Sequence, residues 1–95
     1  MKKLPTEVYQ DLALQFFQPG HRHHEALDSG LLEEAEEVFY AQTTDSKLDE
    51  LSDVLWYITV MAVQENSSLK SLMLRNINKL ERRRLVGKRN DRVTS

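Results

Sequence analysis

Cysteine is absent from this chain, which excludes disulfides and thiolate metal sites. Any structural zinc would have to rest on the three histidines and on carboxylates. Proline occurs twice and glycine three times, so the punctuation that breaks helices is scarce and falls where helices should stop. Long hydrophobic runs are missing too. The longest, VLWYITVMAV from Val54 to Val63, falls well short of the ~20 residues that span a bilayer. The opening MKKLPTEVYQDLALQFF has lysines, but Glu7, Gln10, Asp11 and Gln15 interrupt its apolar part. It does not read as a secretory signal, and a cytoplasmic protein is the expectation. No strand alternation, internal repeat or low-complexity block is visible.

What remains is a chain of 95 residues, 40% apolar and 29% charged. That composition fits a folded domain, and the length allows one. A core from so few residues is thin, and association of copies is a natural way to enlarge it. The net charge of −2 conceals a strong asymmetry. Residues 33–53 hold eight acids and one base, whereas residues 82–95 hold six bases and one acid. One region attracts cations, the other anions.

The periodicity predicts an all-α fold of four helices. A first helix covers roughly 5–17 and ends at QPG, 18–20. HRHHEALDS reads as a loop. A second helix runs from about Ser29 to Ala41, with Leu31, Ala35, Val38, Phe39 and Gln42 on one face. After QTTDS, Ser46 reads as an N-cap with Asp49 as its capping-box partner. The third helix then reaches about Gln64, and its apolar second half marks it as the central one. ENSS offers Ser67 or Ser68 as the next cap. The fourth helix ends near Gly87, a candidate residue just past its C-terminus. One helical domain is expected over 1–87, with a basic flexible tail over 88–95.

The acids are spaced for chemistry. Glu34 and Glu37 are three apart on the second helix; Glu50 and Asp53 are three apart on the third. Residues at that spacing lie ~60° apart around a helix, with Cβ atoms ~5–6 Å apart, so each pair forms a two-pronged oxygen clamp. In an antiparallel hairpin the clamps can face each other. They border the apolar stripes rather than opposing them, and hard divalent cations would relieve their repulsion. The same spacing also describes ordinary solvated faces, so spacing alone leaves both readings open. Glu33, Glu36 and Asp49 fit the solvated description better.

GLLEEAEEV, then DELSDVLWYI, then NINKLERR resemble the MazG-like all-α nucleoside triphosphate pyrophosphohydrolases over about Tyr9 to Leu85. That family carries E-x-x-E, a connection, E-x-x-D, and a downstream N-x-x-K-L-x-x-R. Here these are Glu34 and Glu37, Glu50 and Asp53, and Asn76, Lys79, Leu80 and Arg82. Glu36 departs from the pattern, where the family commonly has glycine. The resemblance implies hydrolysis of an NTP or dNTP to the monophosphate and pyrophosphate, with Mg²⁺ and with Mn²⁺ as a substitute. It implies a four-helix MazG-like bundle whose second and third helices form an antiparallel metal-binding hairpin. Glu34, Glu37, Glu50 and Asp53 would be the metal ligands, and Glu37 would also activate water.

Polyphosphate would need further cations, and Lys79 and Arg82, one turn apart, with Asn76 nearby, are the candidates. Tyr57 follows Asp53 by one turn, so its hydroxyl could reach the site or cap a core ring. Phe16 and Phe17, before QPG, are candidate platforms for the base, whereas Trp56 and Phe39 read as core. His21, Arg22, His23 and His24 admit a plain loop, a substrate contact or a metal site. Glu36 invites the alternative of a non-catalytic nucleotide-binding or regulatory module. Nucleic-acid binding through KLERRRLVGKRNDR is disfavoured by net acidity and the lack of interleaved aromatics. The expected partners are a nucleoside triphosphate and further copies of the chain, as a dimer or dimer of dimers; no membrane is expected.

Overall fold

The computed structural model describes residues 4–17 and 24–90. Four helices follow one another: α1 Thr6–Leu14, α2 His24–Tyr40, α3 Thr44–Gln64 and α4 Leu69–Asn90. The all-α expectation holds, and α3 is the central element, touching each of the other three. Among the described residues no helix is long and apolar enough to cross a membrane.

The boundaries differ from the sequence reading in instructive ways. Helix α1 is shorter than expected and closes in a turn, with the Phe17 amide donating to the Leu14 carbonyl at 3.1 Å. Helix α2 starts at His24, so most of the supposed HRHHEALDS loop is helical. The reason is Leu27, 1% exposed, which extends the apolar stripe one turn ahead of Leu31. The predicted face is corrected too, because the buried stripe is centred on Leu27, Leu31 and Val38. Leu31 and Val38 are half-buried, while Ala35, Phe39 and Gln42 are exposed. Phe39, read as core, is 75% exposed, its ring edge-on to Tyr40 with centroids 4.9 Å apart.

Helix α3 starts earlier as well. Its cap is Thr43, not Ser46. The Ser46 amide donates to Thr43 Oγ1 at 3.1 Å and the Thr43 amide to Ser46 Oγ at 3.4 Å, a reciprocal capping box one turn before the expected one. At the other end Asn66 takes φ 61°, the left-handed conformation that asparagine tolerates. The Ser67 amide then donates to the Ala62 carbonyl at 2.8 Å and the Asn66 amide to that of Val63 at 2.9 Å, a Schellman closure. Ser68 caps α4, its Oγ accepting from the Ser71 amide at 3.0 Å. Gly87 is not a stop: α4 continues to Asn90, through the start of the expected tail, and residues 91–95 lie outside the described residues.

The core lies along the apolar half of α3. Val60 and Thr59 are fully buried, with Ala62 beside them and Ala13, Leu27 and Leu69 from the other helices. The Thr59 hydroxyl is satisfied by the Leu55 carbonyl one turn back, at 2.8 Å. Trp56, expected as core, is half-buried and donates its indole N–H to the Ala13 carbonyl at 3.0 Å, which ties α3 to α1. Gln10 of α1 accepts from the Leu69 amide at 2.8 Å, capping the first turn of α4.

Candidate functional site

Among the described residues, helices α2 and α3 form the largest helix–helix contact, joined by residues 41–43. So short a link forces them antiparallel. The register follows from side-chain neighbours: Gly30 lies opposite Tyr57, Glu34 against Asp53 and Glu50, and Glu37 against Glu50. Steps forward along α2 are matched by steps back along α3. The two acidic clamps therefore meet at the same height, as their spacing suggested.

One carboxylate oxygen from each of Glu34, Glu50 and Asp53 falls within 4.8 Å of the others. Glu37 flanks the group beside Glu50 and is exposed to solvent. Glu34 and Glu50 are half-buried, Asp53 exposed. The electrostatic consequence is direct. Burial pushes the Glu34 carboxyl above its usual 4.5, and the charges of Glu37 and Asp53 add to the rise, against a hydrogen bond with Glu50 that lowers it. Glu37 is raised too, first by its hydrogen bond with Glu50 and then by that neighbour's charge. Glu34 Oε1 is shut off from solvent and has no hydrogen-bond donor. A buried anionic oxygen without a donor is costly unless a cation reaches it. Three close, hard carboxylate oxygens, with an orphaned Glu34 oxygen on one of the same residues, fit a divalent ion of the Mg²⁺ type.

Gly30 makes this approach possible. A Cβ built there would overlap the Tyr57 ring, at 2.5 Å from both Cζ and the hydroxyl oxygen. Any side chain would push α2 away from α3, one turn from Glu34. Sequence reasoning passed over this residue. An isolated glycine inside a helical run is the signal that should have flagged it. By contrast Glu36, where the family commonly has glycine, is exposed. Tyr57 is half-buried, its ring edge-on to Trp56 at 5.0 Å and its hydroxyl over Gly30, so it borders the acidic group from one turn away.

The remaining candidates are not gathered here. Asn76, Lys79 and Arg82 are exposed on α4, and among the described residues α4 touches α1 and α3 but not α2. Phe17 is half-buried at the end of the turn after α1, and Phe16 is exposed. His21, Arg22 and His23 lie outside the described residues; His24 opens α2, and its side chain is not described.

Compared with known families, residues 22–85 match the model of the MazG nucleotide pyrophosphohydrolase domain. No match was found among curated proteins or solved structures. The matched span takes in α2, α3 and most of α4, including every carboxylate of the cluster.

Proposed function

Because the chain belongs to the MazG nucleotide pyrophosphohydrolase family, we propose that it hydrolyses nucleoside or deoxynucleoside triphosphates to the monophosphate and pyrophosphate. The observation that carries this reading is the convergence of Glu34, Glu37, Glu50 and Asp53 across the α2/α3 hairpin. Family membership supports dependence on a divalent metal, and the oxygen-only donor set favours Mg²⁺, with Mn²⁺ as a substitute. Bound there, the ion would offset polyphosphate charge and acidify a water.

The chain's own groups divide the remaining work. Glu34, Glu50 and Asp53, with oxygens within 4.8 Å of one another, would hold the ion, with Glu37 as the fourth candidate ligand beside them. Glu37, exposed beside them, takes the proton of the attacking water. That water adds to the α-phosphorus as the bond to the bridging oxygen breaks, and pyrophosphate leaves with the bond's electron pair. Lys79 and Arg82 neutralise phosphate oxygens beyond the reach of the metal, and Asn76 donates to one of them. Tyr57 supports the site's edge, and Phe17 offers a face to the base. Further copies of the chain, as a dimer or dimer of dimers, supply the burial that one copy lacks. The alternative remains a non-catalytic nucleotide-binding or regulatory module, which Glu36 in place of the family's usual glycine invites.

A pyrophosphate-release screen over canonical and modified (d)NTPs, with Mg²⁺ or Mn²⁺, tests the proposal. Turnover of at least one nucleotide, abolished by chelation, is expected. Tight nucleotide binding by calorimetry without turnover of any of them would replace the enzyme with a binding module.

A further inference from the structure

Helix α4 is joined to α3 by residues 65–68, with Asn66 at φ 61°, and from Met73 to Val86 its side chains are all exposed. Within one chain, then, the helix projects from a hinge. Helix α1 bridges the two arms of that hinge. Toward α3, the Ala13 carbonyl accepts the Trp56 indole N–H at 3.0 Å. Toward α4, Gln10 Oε1 accepts from the Leu69 amide at 2.8 Å, Glu7 pairs with Lys70 at 3.3 Å, and the Thr6 hydroxyl meets Met73 Sδ at 3.8 Å.

These contacts are unequal. Glu7 and Lys70 are both largely exposed, so their pair contributes little. A thioether is a weak acceptor, so the Thr6 contact adds little more. The Gln10 bond is the strong one: short, part-buried and made to an amide in the first turn of a helix. It is not needed to begin α4, because Ser68 Oγ already caps that turn through the Ser71 amide. What Gln10 adds is a fixed angle between α4 and α1. The angle matters because α4 is long. At ~1.5 Å per residue, Lys79 and Arg82 lie ~15 and ~20 Å beyond Leu69, so a swing of ~15° carries them ~4–5 Å. Charge-assisted hydrogen bonds span only ~2.7–2.9 Å, and such a displacement breaks them.

We propose that α1 is the bracket that aims α4, with Gln10 as the positioning residue that sets where Lys79 and Arg82 meet a triphosphate. This rests on the function proposed above, in which those two cations neutralise phosphate oxygens. Gln10 acts through the Leu69 amide and not on the substrate. The Trp56 bond completes the bracket, because it fixes α1 to the same helix that carries Glu50 and Asp53. The direction of α4 is thereby referred to the helix that bears half of the acidic group.

Three variants of Gln10 test it. Gln10→Met and Gln10→Ala remove the accepting oxygen; Gln10→Glu keeps one, and its charge suits a helix start. Because the chain has no native cysteine, nitroxides can be placed on Glu36→Cys of α2 and Asn78→Cys of α4, both exposed positions. Labelled chains are diluted with unlabelled ones, so that double electron–electron resonance reads distances within one chain. Wild type and Gln10→Glu should give one narrow distance, and Gln10→Met and Gln10→Ala should spread it by ~3–4 Å. Calorimetry with a non-hydrolysable deoxynucleoside triphosphate and Mg²⁺ gives the second reading. Its Kd should rise about tenfold in Gln10→Met and Gln10→Ala, the loss of one charged hydrogen bond, and return in Gln10→Glu. Lost stability alone would lower the number of binding sites and leave Kd unchanged. An unchanged distance spread, an unchanged Kd, a Gln10→Glu chain as weak as Gln10→Ala, or a wild type that does not bind the analogue overturns the proposal. A wild type that binds it, with these shifts in the variants but hydrolysis of no triphosphate, removes the enzymatic reading and leaves the bracket standing.

Discussion

Replacing Glu34 with glutamine should make the metal-free protein more stable and the Mg²⁺-loaded protein less responsive. In the folded chain the Glu34 carboxylate is half-buried, adjoins Glu37 and Asp53, and holds one oxygen with no donor. Each like-charge neighbour costs ~0.2–0.5 kcal/mol. Burial of the charged group adds to that, so removing the charge should stabilise by about 1 kcal/mol at low ionic strength, less in salt. For a domain of this length, that is a rise of about 4–8 °C in Tm. Glutamine keeps the shape, and its amide can donate to the facing carboxylates. The metal effect has the opposite sign. At ten times its Kd, an ion bound only to the folded wild type stabilises by about 1.4 kcal/mol, roughly 6–11 °C. The variant should lose most of that increment. Differential scanning calorimetry at one chain concentration, with EDTA and then with Mg²⁺, gives both numbers. A Glu34→Gln protein that melts below wild type in EDTA, or that keeps the full Mg²⁺ shift, would refute the reasoning.

Three further outcomes follow from the same geometry. Glu34 and Glu37 both titrate above the usual 4.5 in the fold, so the folded state binds more protons than the unfolded state in that range. Their contribution to stability is present below the ordinary value and is lost as pH rises through the raised ones; the metal-free Tm should fall over that window in the wild type and less in Glu34→Gln. Gly30→Val should destabilise by roughly 1–3 kcal/mol in chemical denaturation, because its side chain meets the Tyr57 ring, and Tyr57→Ala should recover part of that loss. Thr43→Ala should cost about 1 kcal/mol by breaking the cap of α3, whereas Asp49→Ala, outside the observed cap, should stay within ~0.5 kcal/mol.

The fold was readable where periodicity and local caps agree. The apolar second half of α3 announces a central helix, and Val60 and Thr59 prove to be its fully buried residues. The Glu34/Glu37 and Glu50/Asp53 clamps were legible because a helix translates spacing of three into a shared face, and a short link translates two helices into a hairpin. What failed was whatever depended on tertiary contact. Leu27 is one apolar residue after a run of histidines, and only its burial against α3 extends α2 back to His24. Thr43 and Ser46 both have capping side chains, and the sequence does not say which becomes the cap. Phe39 looks like core by composition but lies ~100° around α2 from the Leu27, Leu31 and Val38 stripe. Gly30 gains its meaning only from the tyrosine that passes over it.

The central claim is that the carboxylates joined across α2 and α3 support cleavage between the α- and β-phosphates. Phosphorus-31 NMR of a deoxynucleoside triphosphate incubated with the chain and Mg²⁺ tests it directly. The account predicts paired signals of monophosphate and pyrophosphate, reduced at least a hundredfold in rate by Asp53→Asn, whose helical circular dichroism should match wild type. Diphosphate with orthophosphate, or an Asp53→Asn protein as active as wild type, would contradict it.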